Sequence, residues 1–370
     1  MKKHSEQKVV ATIGVDLGDK ESRVCVLDDA GEIIDEGSVA TTASALARKF
    51  KGLDRHRFVI ETGTHANWVH DLLESLGHEV VVANARKVRA ISANERKCDE
   101  LDARMLARLG RVDPRLLQPV GVRPEQIRRD MMLIRARDEV VRARTALANS
   151  VRGLAKSTGE RLPKCSAKSL HKQKLSQGLV ALQPLMDSLE GLDKQIKEYE
   201  KQIKEVSAQR YPQTALVRQV TGVGLISSLY FVLLLGDVRR FKNGRAVGAY
   251  VGLVTGRDQS GARDPQLGIT KCGDELGRRL LVQCAQYILG PFGPDTDLRR
   301  FGLRLAAGPK RNKKRAIVAT ARKLAVLLFA LLRKKEVYEP LRNSVKSEGK
   351  VEAVPDARPP ISRAPRTQLA

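Results

Sequence analysis

The amino-acid sequence predicts an α/β module at the N-terminal end, joined to a longer and mostly α-helical body. Three observations carry that prediction. Apolar runs of strand length alternate with amphipathic stretches of helix length over residues 1–115. Two long segments after residue 124 read as helices, the second with an apolar period of three and four. Charge also divides the chain: residues 1–115 hold 19 Lys+Arg and 19 Asp+Glu, while residues 116–370 hold 48 and 23, so the whole formal net charge of +25 sits in the second part.

The first strand is the apolar run of residues 9–15, which ends at Asp16 and is followed by Leu17-Gly18. Residues 24–27 and 32–34 read as two further short strands joined by the turn Asp28-Asp29-Ala30-Gly31. A helix over residues 44–51, a strand over 57–60 ending at Glu61, a helix over 66–76 and a strand over 79–82 complete the module. This order is compatible with a ribonuclease-H-like sheet. Asp99 and Asp102 follow in a helical stretch, and their three-residue spacing places both carboxylates on one helix face.

Asp16 and Glu61 at strand ends, with the Asp99/Asp102 pair, form a candidate ligand set for hard divalent cations, which take oxygen donors and support phosphodiester chemistry. Each acid also has a plainer reading: Asp16 opens a turn, and Asp99 caps its helix. Asp28, Asp29 and Asp35 are set aside as solvated acids at hairpin tips. Arg86, Lys87, Arg89, Arg96 and Lys97 crowd the approach to Asp99, as a nucleic-acid-facing edge would.

A pI near 10.1 concentrated in one body favours polyanionic partners, nucleic acid over membrane. No run approaches the ~18 apolar residues of a bilayer span, and residues 1–6 lack a signal-peptide core. The five cysteines form no CxxC pair, which argues against structural zinc and fits a reducing cytoplasm. Aromatic residues are only 4%, so base stacking is not the main expected binding mode.

The body divides into a helical region over 116–210, a compact helical domain over 211–342 and a Pro-containing tail over 343–370 expected to be disordered. Its first long helix spans about 124–154 and is studded with arginines; a polar stretch over 156–177 interrupts. The second spans about 179–208 and carries Leu182, Leu185, Leu189, Leu192, Ile196, Tyr199, Ile203 and Val206 at alternating three- and four-residue spacings. That is a coiled-coil seam, expected as a projecting hairpin or dimer stalk, with packing inside a bundle as the other reading. Thr221-Gly222-Val223-Gly224 resembles a helix-hairpin-helix turn, where Gly222 and Gly224 would leave amides open to a phosphate. Helices near 245–250, 274–289 and 315–333 surround a loop-rich stretch over 256–273.

Within that stretch lies Gln259-Ser260-Gly261, rimmed by Arg257, Arg263, Lys271, Arg278 and Arg279. Cationic neighbours would stabilise charge developing on a serine oxygen and on a phosphate under attack. The plainer reading is a turn serine in a loop. No histidine stands near it in sequence, and no Gly-x-Ser-x-Gly elbow occurs. No P-loop run occurs either.

Two signatures stand in order along the chain: Gly14-Val15-Asp16, Glu61-Thr62-Gly63-Thr64 and Lys97-Cys98-Asp99-Glu100-Leu101-Asp102-Ala103; then Gly222-Val223-Gly224, Tyr250-Val251-Gly252-Leu253, Gln259-Ser260-Gly261 and Gly268-Ile269-Thr270-Lys271-Cys272-Gly273-Asp274. With them the chain resembles, over nearly its full length, the DEDD-type insertion-sequence transposases, also called bridge-RNA-guided recombinases. The resemblance implies a RuvC-like domain in which Asp16, Glu61, Asp99 and Asp102 hold Mg²⁺, and a C-terminal transposase domain in which Ser260 is the nucleophile. It implies donor and target DNA as substrates, a noncoding guide RNA, and a homo-oligomer, dimer or tetramer, whose composite site joins the acids of one subunit to the serine of another. One departure is Thr255, where family members often have proline. Two other readings of the residues stay open: a four-acid nuclease of the Holliday-junction resolvase type, and a non-catalytic nucleic-acid-binding scaffold.

Overall fold

A computed structural model describes residues 9–84, 99–261, 263–265 and 267–343. The basic cluster of Arg86, Lys87, Arg89, Arg96 and Lys97, and the tail from residue 344 on, lie outside the described residues. The chain forms two compact units, Met1–Pro124 and Glu125–Ala370.

The first unit is built on a five-stranded mixed sheet of order β3-β2-β1-β4-β5. β1 (Thr12–Asp16), β2 (Glu21–Leu27) and β3 (Ile33–Ala40) form an antiparallel meander. β4 (Arg57–Glu61) and β5 (Glu79–Ala83) run parallel to β1. Side chains alternate between faces with a period of two. Ile13 and Val15 of β1, with Phe58 and Ile60 of β4, therefore share one face and bury against Leu46 and Phe50 of α1 (Ala43–Phe50) and Val69 and Leu73 of α2 (Ala66–Ser75). The opposite face presents Cys25, Leu27 and Val59 and is covered by Ala103, Leu106 and Ala107 of α3 (Asp99–Val112).

β3 is longer than the residues 32–34 expected for it, and Asp35 lies within it rather than at a hairpin tip. Ile33 to Glu36 are all exposed, so this edge strand shows no apolar alternation to read. Backbone pairing with β2 forms it instead, and its charges protect an open edge. Asp35 sits 3.9 Å from Lys49 Nζ.

The second unit opens with a helical hairpin of α4 (Glu125–Ser157) and α5 (Gln183–Arg210). Charge pairs Asp130–Arg210, Arg137–Glu200 and Arg144–Asp193 fix it as antiparallel, because one partner number rises as the other falls. Leu189, Ile196 and Ile203 of the predicted seam are buried within this single chain. The seam is therefore filled by the chain's own elements, and a dimer does not follow from it. The stretch over 156–177, polar in composition, contributes to the packing: Leu170 is fully buried with Ala148, Val151 and Ala155 of α4 and Leu189 of α5.

The rest of the unit packs around α7 (Leu225–Leu235), which follows the short α6 (Thr214–Arg218). Leu229 to Leu235 are buried without interruption, so α7 has no polar face to reveal a helical period. Around it stand α8 (Gly244–Tyr250), α9 (Glu275–Leu289), α10 (Asp297–Ala306) and α11 (Lys310–Lys334). Among the described residues no helix is long and apolar enough to cross a membrane.

Candidate functional site

In the first unit, parity along the strands decides where the acids point. Asp16 shares a face of β1 with Thr12 and Gly14, and Glu61 shares a face of β4 with Arg57 and Val59. This is the α3 face: a Cβ on Gly14 would lie 2.1 Å from the Ala103 carbonyl oxygen, and Arg57 Nη1 donates to the Gly110 carbonyl at 3.3 Å. Because Val15 pairs with Ile60 in parallel register, Asp16 and Glu61 end adjacent strands at the same sheet edge. α3 runs antiparallel to β1, with Ala103 over Gly14 and Gly110 near Thr12. Its N-terminal turn, with Asp99 and Asp102, thus points toward the Asp16 end.

All four acids therefore share one face and one edge of the sheet. They are not closed into a cluster: among the described residues, no three His, Cys, Asp or Glu side chains are placed to hold one metal ion. Asp102 is 7% exposed and has no hydrogen-bond or ion-pair partner among the described residues. The donor chemistry fits a hard divalent ion.

In the second unit the loop-rich stretch is an arm. Gly256 N–H donates to Gly268 O at 2.8 Å and Thr270 N–H to Val254 O at 2.9 Å, pairing the two limbs in antiparallel fashion. At the tip, Ser260 and Arg263 exchange backbone hydrogen bonds of 3.0 and 2.9 Å around Gly261 at φ +54°. Ser260 is exposed there. At the base the limbs cross so closely that a Cβ on Gly252 would lie 2.0 Å from Cys272 O, and one on Gly273 2.1 Å from Tyr250 O. Both glycines have positive φ, and Lys271 beside them adopts φ +53°.

Asp274 anchors this base. Its carboxylate caps α9 by accepting from Gly277 N–H at 2.8 Å. It also accepts from Tyr230 Oη at 2.8 Å and from Arg135 Nη2 at 2.8 Å, and so ties the arm to α7 and α4. Burial, then the Asp274 charge, pushes the Tyr230 phenol far above its ordinary value, so it remains a donor. Nothing in the local sequence around residue 260 reveals Tyr230 or Arg135, which lie 44 and 139 residues from Asp274.

The five cations expected around Ser260 serve different ends. Arg278 Nη1 donates to Lys271 O at 3.0 Å and Val251 O at 3.4 Å, bracing the arm. Arg279 pairs with Asp138 at 2.5 Å, and Arg257 lies 3.5 Å from Asp264. Arg263 faces Ser260 across the turn, and Lys271 is exposed. At the 221–224 turn, Gly222 has φ +94°, and a Cβ there would lie 3.0 Å from Tyr287 and 3.1 Å from Ile288. Gly224 immediately precedes α7, and a Cβ there would meet nothing within 4 Å.

Comparison with known proteins decides the family. A DEDD transposase model of the IS110 type, described as a transposase, matches residues 13–159, and a model described as the transposase IS116/IS110/IS902 family matches residues 214–296. A probable family 20 transposase of Pseudomonas aeruginosa is 30% identical over 292 residues, covering 75% of this chain and 84% of that protein. The chain belongs to the IS110-type DEDD transposases. The transposase for insertion sequence element IS1111A of Coxiella burnetii is 28% identical over 351 residues, 91% of this chain and 93% of that protein. The transposase for insertion sequence element IS1328 of Yersinia enterocolitica is 26% identical over 297 residues, 76% and 84% respectively. This transposase is accordingly an enzyme that recombines DNA. The two matched regions contain, respectively, the acid edge and the Ser260 arm.

Proposed function

We propose that this insertion-sequence transposase exchanges DNA strands through Ser260. The observation that carries the reading is the serine's presentation: an exposed hydroxyl at the tip of an arm whose base is locked by two glycine crossings and the Asp274 anchor. In the forward step Ser260 Oγ bonds to a DNA phosphorus and loses its proton, while the bond from phosphorus to one DNA oxygen breaks and that oxygen takes up a proton. In the reverse step a hydroxyl of the new DNA partner attacks the phosphoserine and releases Ser260. The number of phosphoester bonds is conserved, so no nucleotide triphosphate is required.

Asp16, Glu61, Asp99 and Asp102 would hold Mg²⁺, which supplies Lewis-acid stabilisation of phosphoryl charge. The parity of β1 and β4, with the N-terminal turn of α3 lying toward the ends of those strands, supports that assignment. The sheet order, with a helix on the acid-bearing face, supports a RuvC-like or ribonuclease-H-like reading of the first unit. Gly222, Gly224, Arg257, Lys271 and Arg278 remain our nucleic-acid-facing assignment, with Arg278 acting by bracing the arm; Lys97, outside the described residues, keeps its place in it. An element-encoded noncoding RNA that pairs with donor and target DNA, and a homo-oligomer joining acids and serine from different copies, complete the proposal.

The test is incubation of full-length protein, the element's RNA and labelled junction DNA with Mg²⁺. A protease-sensitive protein–DNA adduct that Ser260→Ala abolishes is expected. Cleavage without an adduct, unchanged in Ser260→Ala and lost in Asp102→Asn, would replace this reading with a four-acid nuclease.

A further inference from the structure

Beside the limbs of the serine arm lies a groove of about 1020 Å³, closed on its other side by α11. Lys314, Arg315, Val318, Ala319, Arg322, Lys323 and Val326 all face it, because three-, four- and seven-residue steps return to one side of a helix. Its rim is cationic. Lys314 and Arg315 are exposed, Arg322 is half-buried, and none of the three has a carboxylate partner among the described residues. Lys323 Nζ sits 4.1 Å from the centre of the Phe301 ring. Asp264 is the one acid lining the groove among the described residues, and Arg257 lies 3.5 Å from it. Between the cations the lining is apolar, with Leu253, Val318, Ala319, Ile269 and Phe301, and serves as the groove's floor.

Charge selects a polyanion, and the floor selects its form. A duplex presents phosphates but keeps its bases stacked inside, so it would use the cations and leave the apolar floor bare. An unpaired strand offers both: phosphates for the rim and unstacked base faces for the floor. We propose that this groove seats an unpaired stretch of DNA, with its phosphates on Lys314, Arg315 and Arg322 and its bases against Phe301, Val318 and Ala319. Such a stretch exists when strands separate for exchange, and the arm that forms one wall carries Ser260. The strand would thus be held next to the phosphate under attack. That last placement rests on the Ser260 reading; the binding itself does not.

The test uses full-length protein in a Ser260→Ala background, so that its outcome is readable whether or not the serine is the nucleophile. Fluorescence anisotropy compares a labelled 20-nucleotide DNA strand, its duplex, an RNA strand of the same sequence and a DNA strand with abasic sites throughout. Lys314→Gln/Arg315→Gln/Arg322→Gln is expected to weaken single-strand binding at least tenfold while changing duplex binding less than threefold. The slope of log affinity against log salt should fall by about 2 for the single strand, at ~0.7 per lost phosphate contact. The parent should bind the abasic strand more weakly than the normal one. Lys314→Gln/Arg315→Gln, which alters exposed residues only, repeats the comparison should the triple variant unfold. Single-strand affinity within twofold of the parent, an equal loss on duplex, a loss confined to RNA, or full affinity for the abasic strand would each overturn the proposal.

Discussion

Replacing Gly14 with alanine tests the idea that close backbone contact holds the acid-bearing helix on the sheet. The added Cβ would lie 2.1 Å from Ala103 O and 2.5 Å from Ala107 N. Both are backbone atoms of α3, so no rotamer change relieves the overlap. Ordinary contact requires α3 to lift by about 1 Å, which strains packing that interiors resist. Overpacking costs about 1–3 kcal/mol, and two backbone overlaps place this case at the upper end. For a unit of this size, ~3 kcal/mol lowers the midpoint by roughly 10 °C. The same lift moves Asp99 and Asp102 relative to Asp16 and Glu61; with the four acids acting together as proposed, a ~1 Å misplacement costs on the order of a hundredfold in rate. The assay pairs a thermal melt with strand exchange on junction DNA. Gly63→Ala is the control, since a Cβ there meets nothing within 4 Å and the backbone is not left-handed. If Gly14→Ala melts within about 2 °C of the parent and keeps its activity, α3 is not held by this contact and the reasoning fails; the ~2 °C bound is well below the shift worked above.

Two further outcomes follow from the second unit. Burial pushes the Asp130 carboxyl up, but hydrogen bonds from Arg210, Tyr211 and Gln126 outweigh it and hold its pKa below the ordinary value. Its stabilisation is therefore present above the unfolded-state pKa of about 3.9 and lost as pH falls through the lower folded value. Asp130→Asn should cost about 2–3 kcal/mol at neutral pH, and the gap in melting temperature from the parent should narrow between about pH 5 and pH 3; a gap independent of pH would contradict the assignment. Tyr230→Phe removes the donor to Asp274 and the acceptor for Arg135 Nε, at about 1–2 kcal/mol. Hydrogen exchange of the Gly256 and Thr270 amides, which pair the arm's limbs, should speed up in that variant, and unchanged exchange would show that Asp274 does not anchor the arm.

Local pattern was enough to read much of the first unit. Ile13, Val15, Phe58 and Ile60 alternate with α3-facing residues on strands that are buried or half-buried, and the acids stand where those strands stop. β3 reads short in the sequence because an exposed edge strand needs only backbone pairing, which leaves no apolar alternation. α7 is signalled only by the turn before it, and α10 by no local pattern. α7 is buried all round and shows no period, while α10 is ten residues between glycine-rich loops. The seam on α5 was visible as a period, but spacing alone does not say whether the opposing surface belongs to another chain or to α4. The complementary charges at 130/210, 137/200 and 144/193 answer that only once the chain has turned back on itself.

The sequence by itself determined the chemistry on offer: the four carboxylates, the serine with its glycine neighbour, and a basic body suited to nucleic acid. Tertiary structure decided how these groups are presented. Strand parity and the bare α-carbon of Gly14 put the acids on one face and edge of the sheet. The crossings at Gly252 and Gly273, with Tyr230 and Arg135 on Asp274, turned a loop into an arm with Ser260 at its tip. These contacts join residues tens to more than a hundred positions apart. Local spacing carries no information about such pairs, because their closeness is set by how helices and strands pack.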